Sequence, residues 1–148
     1  MPTATITNTR EILPVGATPA AGVGYYTLNI PVQLTAMTTS AADLITGLVL
    51  GHKGKIVSMQ FHTTVLGTGS GASQVLNLEI GSTDVTGGVL TLTLATTTPL
   101  GNRIAATAIT ANNEFTATDT LSLEVAASGT VFTAGAGVIS IVIQNTQV

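Results

Sequence analysis

The segment from Gln74 to Leu94, QVLNLEIGSTDVTGGVLTLTL, constrains the fold more than any other stretch, because apolar residues recur in it at every second position. Successive side chains of a strand point to opposite faces, so Leu76, Leu78 and Ile80 share one face and Val75, Asn77 and Glu79 the other. Past the turn signal Gly87-Gly88 the pattern returns, with Leu90, Leu92 and Leu94 set against Val89, Thr91 and Thr93. A helix repeats its faces every 3.6 residues and cannot gather these leucines on one side. The stretch therefore reads as two strands with one buried face. It holds no obvious nucleophile, metal cluster or phosphate cradle.

The same reading extends along the chain. Tyr25 to Leu34 is a strand whose Pro31 removes a ladder donor, which places it at an edge or a bulge. Thr39 to Leu50 reads as a short strand, although Ser40 and Asp43 offer helix caps, because Gly47 and the β-branched residues oppose a helix. After the turn Gly51-His52-Lys53-Gly54, a long strand runs from Lys55 to Leu66, with Val57, Met59 and Phe61 inward and Ser58, Gln60 and His62 outward. Gly67 to Ser73 is a loop, and Ala95 to Pro99 a Thr-rich linker. Strands follow at Arg103 to Thr110 and at Thr120 to Val125, the latter with Leu121, Leu123 and Val125 inward and Ser122 and Glu124 outward. Gly137 to Gln144 is apolar on both faces, which places it centrally in a sheet or beneath another subunit. The result is an all-β chain of about eight strands, spaced as in a jelly-roll-like β-sandwich over residues 25–148. Residues 1–24, rich in Thr, Ala, Pro and Gly, form an extended N-terminal arm, either a frayed end with one edge strand or a segment that pairs with a neighbouring subunit.

Composition narrows the function. Only 7% of the residues are charged, against about a quarter in ordinary soluble domains. Polarity comes instead from hydroxyls and amides, with 28 of 148 residues threonine, and a surface so poor in charge suits coverage by other subunits. The longest apolar run, Leu44 to Leu50, is far below the roughly 20 residues of a membrane-spanning helix, so no membrane is expected. The start MPTATITNTREIL lacks the basic and apolar regions of a secretory signal. Four basic residues with no cluster beyond Lys53 and Lys55 leave no footprint for nucleic acid. The absence of cysteine removes thiolate and redox chemistry.

Candidate chemistry is thin. His52 and His62 stand ten residues apart, without the further ligands of a metal centre or the positioned partner of a catalytic pair, and read as solvated or interface residues. Glu79, Asp84, Glu114, Asp119 and Glu124 could pair across strands as in a glycosidase, but the chain has no Trp, two Tyr and three Phe with which to hold sugar rings. Asp84 and Asp119 fit turns in which a short carboxylate accepts backbone N–H groups. A calcium site at Ser82-Thr83-Asp84 lacks the Asp-rich spacing of a calcium loop. The GTGSG loop lacks the Lys-Ser/Thr of a phosphate-binding loop. No catalytic residue, metal or cofactor is assigned, and the chain is not expected to be an enzyme.

At LNLEIGSTDVTGGVLTLT, TPLGNRIAATAIT and NNEFTATDTLSLEV, in that order, the sequence resembles the head decoration, or capsid cement, proteins of tailed bacteriophages. The likeness runs from about Lys55 to Ile143, with Thr118 where the family commonly has Gly. It implies a jelly-roll-like virion module on the outer surface of the capsid, a homotrimer at local threefold positions that clamps neighbouring major capsid subunits. Contacts are then expected from the arm, at Thr3, Thr5, Ile6, Thr7, Arg10, Glu11, Ile12 and Leu13, and from the last strand, at Ile139, Ile141 and Ile143. The alternative is a receptor- or glycan-binding β-sandwich of a head or tail fibre, which would need an exposed aromatic patch or a shallow site on a loop such as Gly67 to Ser73.

Overall fold

The computed structural model describes residues 24–38 and 41–146. The arm expected over residues 1–24 lies outside them except for Gly24. The described chain forms ten strands: β1 (Gly24–Gln33), β2 (Ala42–Val49), β3 (Gly54–Thr68), β4 (Ser73–Ile80), β5 (Thr83–Asp84), β6 (Leu90–Thr93), β7 (Arg103–Ala105), β8 (Glu114–Phe115), β9 (Thr120–Ser128) and β10 (Ala134–Asn145). They build two antiparallel sheets of five. Sheet A runs β1-β10-β3-β7 with β8 also on β3, and sheet B runs β2-β9-β4-β5 with β6 also on β4. The molecule is an all-β sandwich. None of its described helices is long and apolar enough to cross a membrane.

The core follows from the alternation of the sequence. Leu76, Leu78, Leu90, Leu92, Leu121, Leu123 and Val125 from sheet B meet Ile56, Met59, Phe61, Ile139, Ile141 and Ile143 from sheet A, all buried. The hairpin at Gln74 to Leu94 forms as its period requires, with Gln74 opposite Leu92 and Leu76 opposite Leu90. Its first turn, however, is Gly81-Ser82, which folds β5 back so that Glu79 faces Asp84. The Gly87-Gly88 pair serves a different contact, described below.

Several expectations shift. On β3, Ile56 is buried and Val57 is 40% exposed, the reverse of the alternation read from the sequence. The cause is a β-bulge: Ser58 pairs with Val142, but the next partner of Ile143 is Ile56, so Val57 is an extra residue and the phase flips. Of the strand expected at Arg103 to Thr110, only Arg103–Ala105 belongs to sheet A; the chain then leaves the sheet. The linker after β6 contains one helical turn, Leu94–Thr97, closed by a capping box in which the Thr93 side chain accepts from Thr96 N and the Thr96 hydroxyl accepts from Thr93 N. Gly67 and Thr68, read as loop, still belong to β3. The count exceeds eight because β5 and β8 are two residues each, too short for a period-2 pattern.

The fourth lane of each sheet is broken in two, and the breaks meet. Between β5 and β6 the chain carries Val85 to Val89; between β7 and β8 it carries Ala106 to Asn113. These segments pair: Gly88 N donates to Thr107 O at 3.0 Å, Thr107 N to Val89 O at 2.9 Å, Thr110 N to Thr86 O at 2.9 Å and Thr86 N to Ala111 O at 3.0 Å. The Thr107 hydroxyl also accepts from Val89 N at 3.0 Å. Gly87 is needed here, since its φ is +80° and a Cβ would overlap the carbonyl of Ala108. One side of the sandwich is thus stitched by main-chain bonds from sheet to sheet. The other side ends in β1 and β2, each paired on one flank only among the described residues.

Candidate functional site

Three surfaces of the sandwich have distinct chemistry. The first is the outer face of sheet A beside its open edge. Alternation along β1 and β10 places Tyr25, Thr27, Asn29 and Pro31 outward, opposite Gln144, Val142, Ser140 and Val138. None of these is charged. The Ser140 hydroxyl donates to Asn29 Oδ1 at 2.7 Å, so the polar groups of the two strands satisfy one another. Tyr25 is 64% exposed. Among the described strand residues of sheet A, charge begins on the far side of β10, with Arg103, whose Nε donates to Gln60 Oε1, and with the exposed pair Lys55–Glu114 at 3.7 Å. Pro31 sits on the edge strand, as its missing N–H requires.

Beneath that edge lies a small ring cluster. His52 is half-buried between Tyr26 and Phe115, with ring centroids 5.4 and 5.7 Å away. Its Nδ1 contacts Lys53 O at 3.0 Å; a carbonyl only accepts, so Nδ1 carries the proton, and in the neutral ring Nε2 accepts from the Tyr26 hydroxyl at 2.6 Å. Burial raises the Tyr26 phenol above its ordinary pKa, which keeps it a donor. His52 is thus not merely solvated; it ties the start of β1 to the turn before β3. His62 is half-buried on the outer face of sheet A, opposite Val138 and Arg103.

The second surface is a polar groove of about 400 Å³ lined by Lys55 and residues 110–114, where Asn112 adopts φ +50°. Nearby, Asn113 is buried and its Nδ2 donates to Ile56 O at 2.7 Å. The turn Thr116 to Asp119 is closed by Thr116 N donating to Asp119 Oδ2 at 2.7 Å, as expected of Asp119. Thr118 is absent from the positive-φ positions, so that turn has no need of glycine.

The third surface is the outer face of sheet B, where pairing sets Asp43 opposite Glu124, Glu124 opposite Asn77, and Glu79 opposite both Ser122 and Asp84. Four of the seven acidic residues of the chain therefore share one face. Carboxylate oxygens of Glu79, Asp84 and Glu124 lie within 4.8 Å of one another. Burial, then the charges of Glu124, Asp43 and Asp84, push the Glu79 carboxyl above the usual range, and Glu79 shares a side-chain hydrogen bond with Glu124. Asp84 thus belongs to a cross-strand cluster and not to the turn role read for it. Ser122 and Asn77, although outward, are only 6% and 7% exposed. The sequence carried a partial signal: Glu79 and Asp84 flank Gly81-Ser82 at hairpin spacing, whereas nothing announces Glu124 as their neighbour.

Of the contact residues expected from the sequence, Thr3, Thr5, Ile6, Thr7, Arg10, Glu11, Ile12 and Leu13 lie outside the described residues. Ile139, Ile141 and Ile143 are fully buried in the core against Phe61, Met59 and Ile56. They hold the sheets together and have no surface for a partner; Val138 and Val142 are the apolar side chains that β10 turns outward. The strand is central in sheet A, which accounts for its two apolar faces. Comparison with protein-family models, curated proteins and solved structures found no match for the chain.

Proposed function

We propose that this protein is a structural virion component that binds the outside of a phage head as a trimer and clamps neighbouring major capsid subunits. The observation that carries the proposal is the asymmetry of the sandwich: one side is stitched by main-chain bonds, while β1, among the described residues, offers an edge with one flank unpaired beside an uncharged outer face. An open edge accepts a further strand through backbone hydrogen bonds, and a face of Thr, Asn, Ser and Val can be covered without desolvating charges. Residues 1–23 lead directly into β1 and supply the clamp arm in this reading.

The strand order supports the finer description of the sandwich as a jelly roll. With the two-residue strands β5 and β8 set aside, the sheets read 1-10-3-7 and 2-9-4-6, and every connection except β4 to β6 passes from one sheet to the other. The first two resemblance motifs meet on the stitched side, where TGG of residues 86–88 pairs with the segment after β7. They build the module, and the open side carries its partners.

A glycan-binding fibre module is the second reading, and the groove at Lys55 and residues 110–114 is the observation in its favour; no aromatic ring lines that groove for a sugar to stack on. Copy number in purified particles separates the two. Decoration predicts hundreds of copies per head, and a handful would support the fibre. Removing residues 1–13 is expected to abolish head occupancy; undiminished binding would remove the arm from the account.

A further inference from the structure

We propose that the outer face of sheet B is a site for a hard divalent cation, Ca²⁺, held by the carboxylates of Glu79, Asp84 and Glu124 together with the side-chain carbonyl oxygen of Asn77. Three strands supply these groups: Glu79 and Asn77 stand two apart on β4, Asp84 is opposite Glu79 on β5, and Glu124 is opposite Asn77 on β9. Oxygens bound to one Ca²⁺ at about 2.3–2.6 Å lie at most about 5 Å apart. The three carboxylates, with oxygens within 4.8 Å of one another, meet that limit as they stand. Mg²⁺ at about 2.0–2.1 Å needs its ligands within about 4.2 Å and a stricter octahedron.

Asn77 is the independent observation. It is 7% exposed, and its Oδ1 is buried without a hydrogen-bond partner. A buried amide oxygen left unpaired is destabilising, so it calls for a donor or a cation. The pleat sends this side chain to the face of Glu79, directly across from Glu124 and so beside the carboxylate group. Among the described residues no basic side chain belongs to that sheet: Lys55 and Arg103 belong to sheet A, and Lys53 precedes β3. A cation would satisfy the amide oxygen and the acids at once, while Asp43, opposite Glu124, adds charge beside them. Asp84 is exposed, which leaves the site open to solvent for the remaining ligands as water.

The test is calorimetric titration of the chelator-treated full-length chain with CaCl₂, together with thermal melts with and without 10 mM CaCl₂. One Ca²⁺ per chain is expected, with a Kd of about 10⁻⁵–10⁻³ M and a Tm raised by a few degrees. Glu79→Gln and Asp84→Asn should each weaken binding at least tenfold. Both should melt at or above the wild-type Tm without calcium, because they relieve like-charge repulsion, so a folding defect cannot mimic the loss. Asn77→Asp keeps an oxygen ligand and should retain binding, and Glu114→Gln on the other sheet should change nothing. No heat and no Tm shift at 10 mM CaCl₂ would overturn the site. An equal Tm rise in NaCl of matched ionic strength, or a calcium response that survives Glu79→Gln, would overturn it as well.

Discussion

The two sides of this sandwich solve the edge problem in opposite ways. On the stitched side, the broken fourth lanes of both sheets hydrogen-bond to each other through residues 86–89 and 107–111, so main-chain bonds run from sheet to sheet there. On the open side, β1 and β2 end their sheets with one flank unpaired among the described residues. Pro31, the hydroxyl and amide groups of β1, and the Tyr26–His52 bond keep that side ordered without closing it. Sealing demands particular backbone geometry, and openness demands almost none. The residues with the least freedom to change therefore lie away from the surface best suited to partners.

The largest expected effect breaks the stitched side. Gly87→Ala places a Cβ against the Ala108 carbonyl at φ +80°, and should cost about 2–4 kcal/mol in urea unfolding. Gly88→Ala sharpens the comparison: its φ is +68°, but the nearest atom to the new Cβ is Ile109 Cγ1 at 3.2 Å, a side chain that can move. Its cost should stay near the backbone penalty alone, about 1 kcal/mol. Equal losses for the two variants would show that the Ala108 contact is unimportant and that the strands need no such close approach.

How much of this was legible in the sequence depends on how far each feature reaches. The Leu-rich alternation at Leu76, Leu78, Leu90 and Leu92 is local, and it gave the hairpin, the inward face and the sandwich class. Pro31 announced an edge because a missing N–H is a local fact. The bulge at Val57 was hidden, since it depends on which β10 residue comes to lie opposite Ile56. Ile139, Ile141 and Ile143 looked like contact residues for the same reason: an apolar strand reads alike whether its cover is the facing sheet or another subunit. The carboxylate group on sheet B needed the β4–β9 register, which no spacing along the chain encodes.

A middle-sized effect tests how the open side is held. Tyr26→Phe keeps the ring against His52 but removes the 2.6 Å hydroxyl contact to Nε2. The loss should be about 0.5–1.5 kcal/mol, the worth of one partly exposed hydrogen bond, and hydrogen exchange should rise in β1 before it rises in β10. Uniform acceleration across sheet A would mean that β1 opens only with the whole domain and is no separate edge.

The smallest effect on the isolated chain bears most directly on assembly. Thr27 is exposed on β1, turned outward opposite Val142, with no charged residue on the strand to pair with an introduced lysine. Thr27→Lys should change stability by no more than about 0.5 kcal/mol, the range for surface substitutions away from packing and caps. A lysine on an edge strand opposes further strand addition, and burying its ammonium beneath a neighbouring subunit leaves it unpaired and desolvated. Under the proposed decoration role, trimer formation and head occupancy should therefore fall sharply while the melting curve stays in place. The same substitution at Thr91, exposed on β6 in the other sheet, should leave both assembly and melting unchanged. If Thr27→Lys still assembles, the partners lie elsewhere, and the difference between the two sides of the sandwich concerns folding alone.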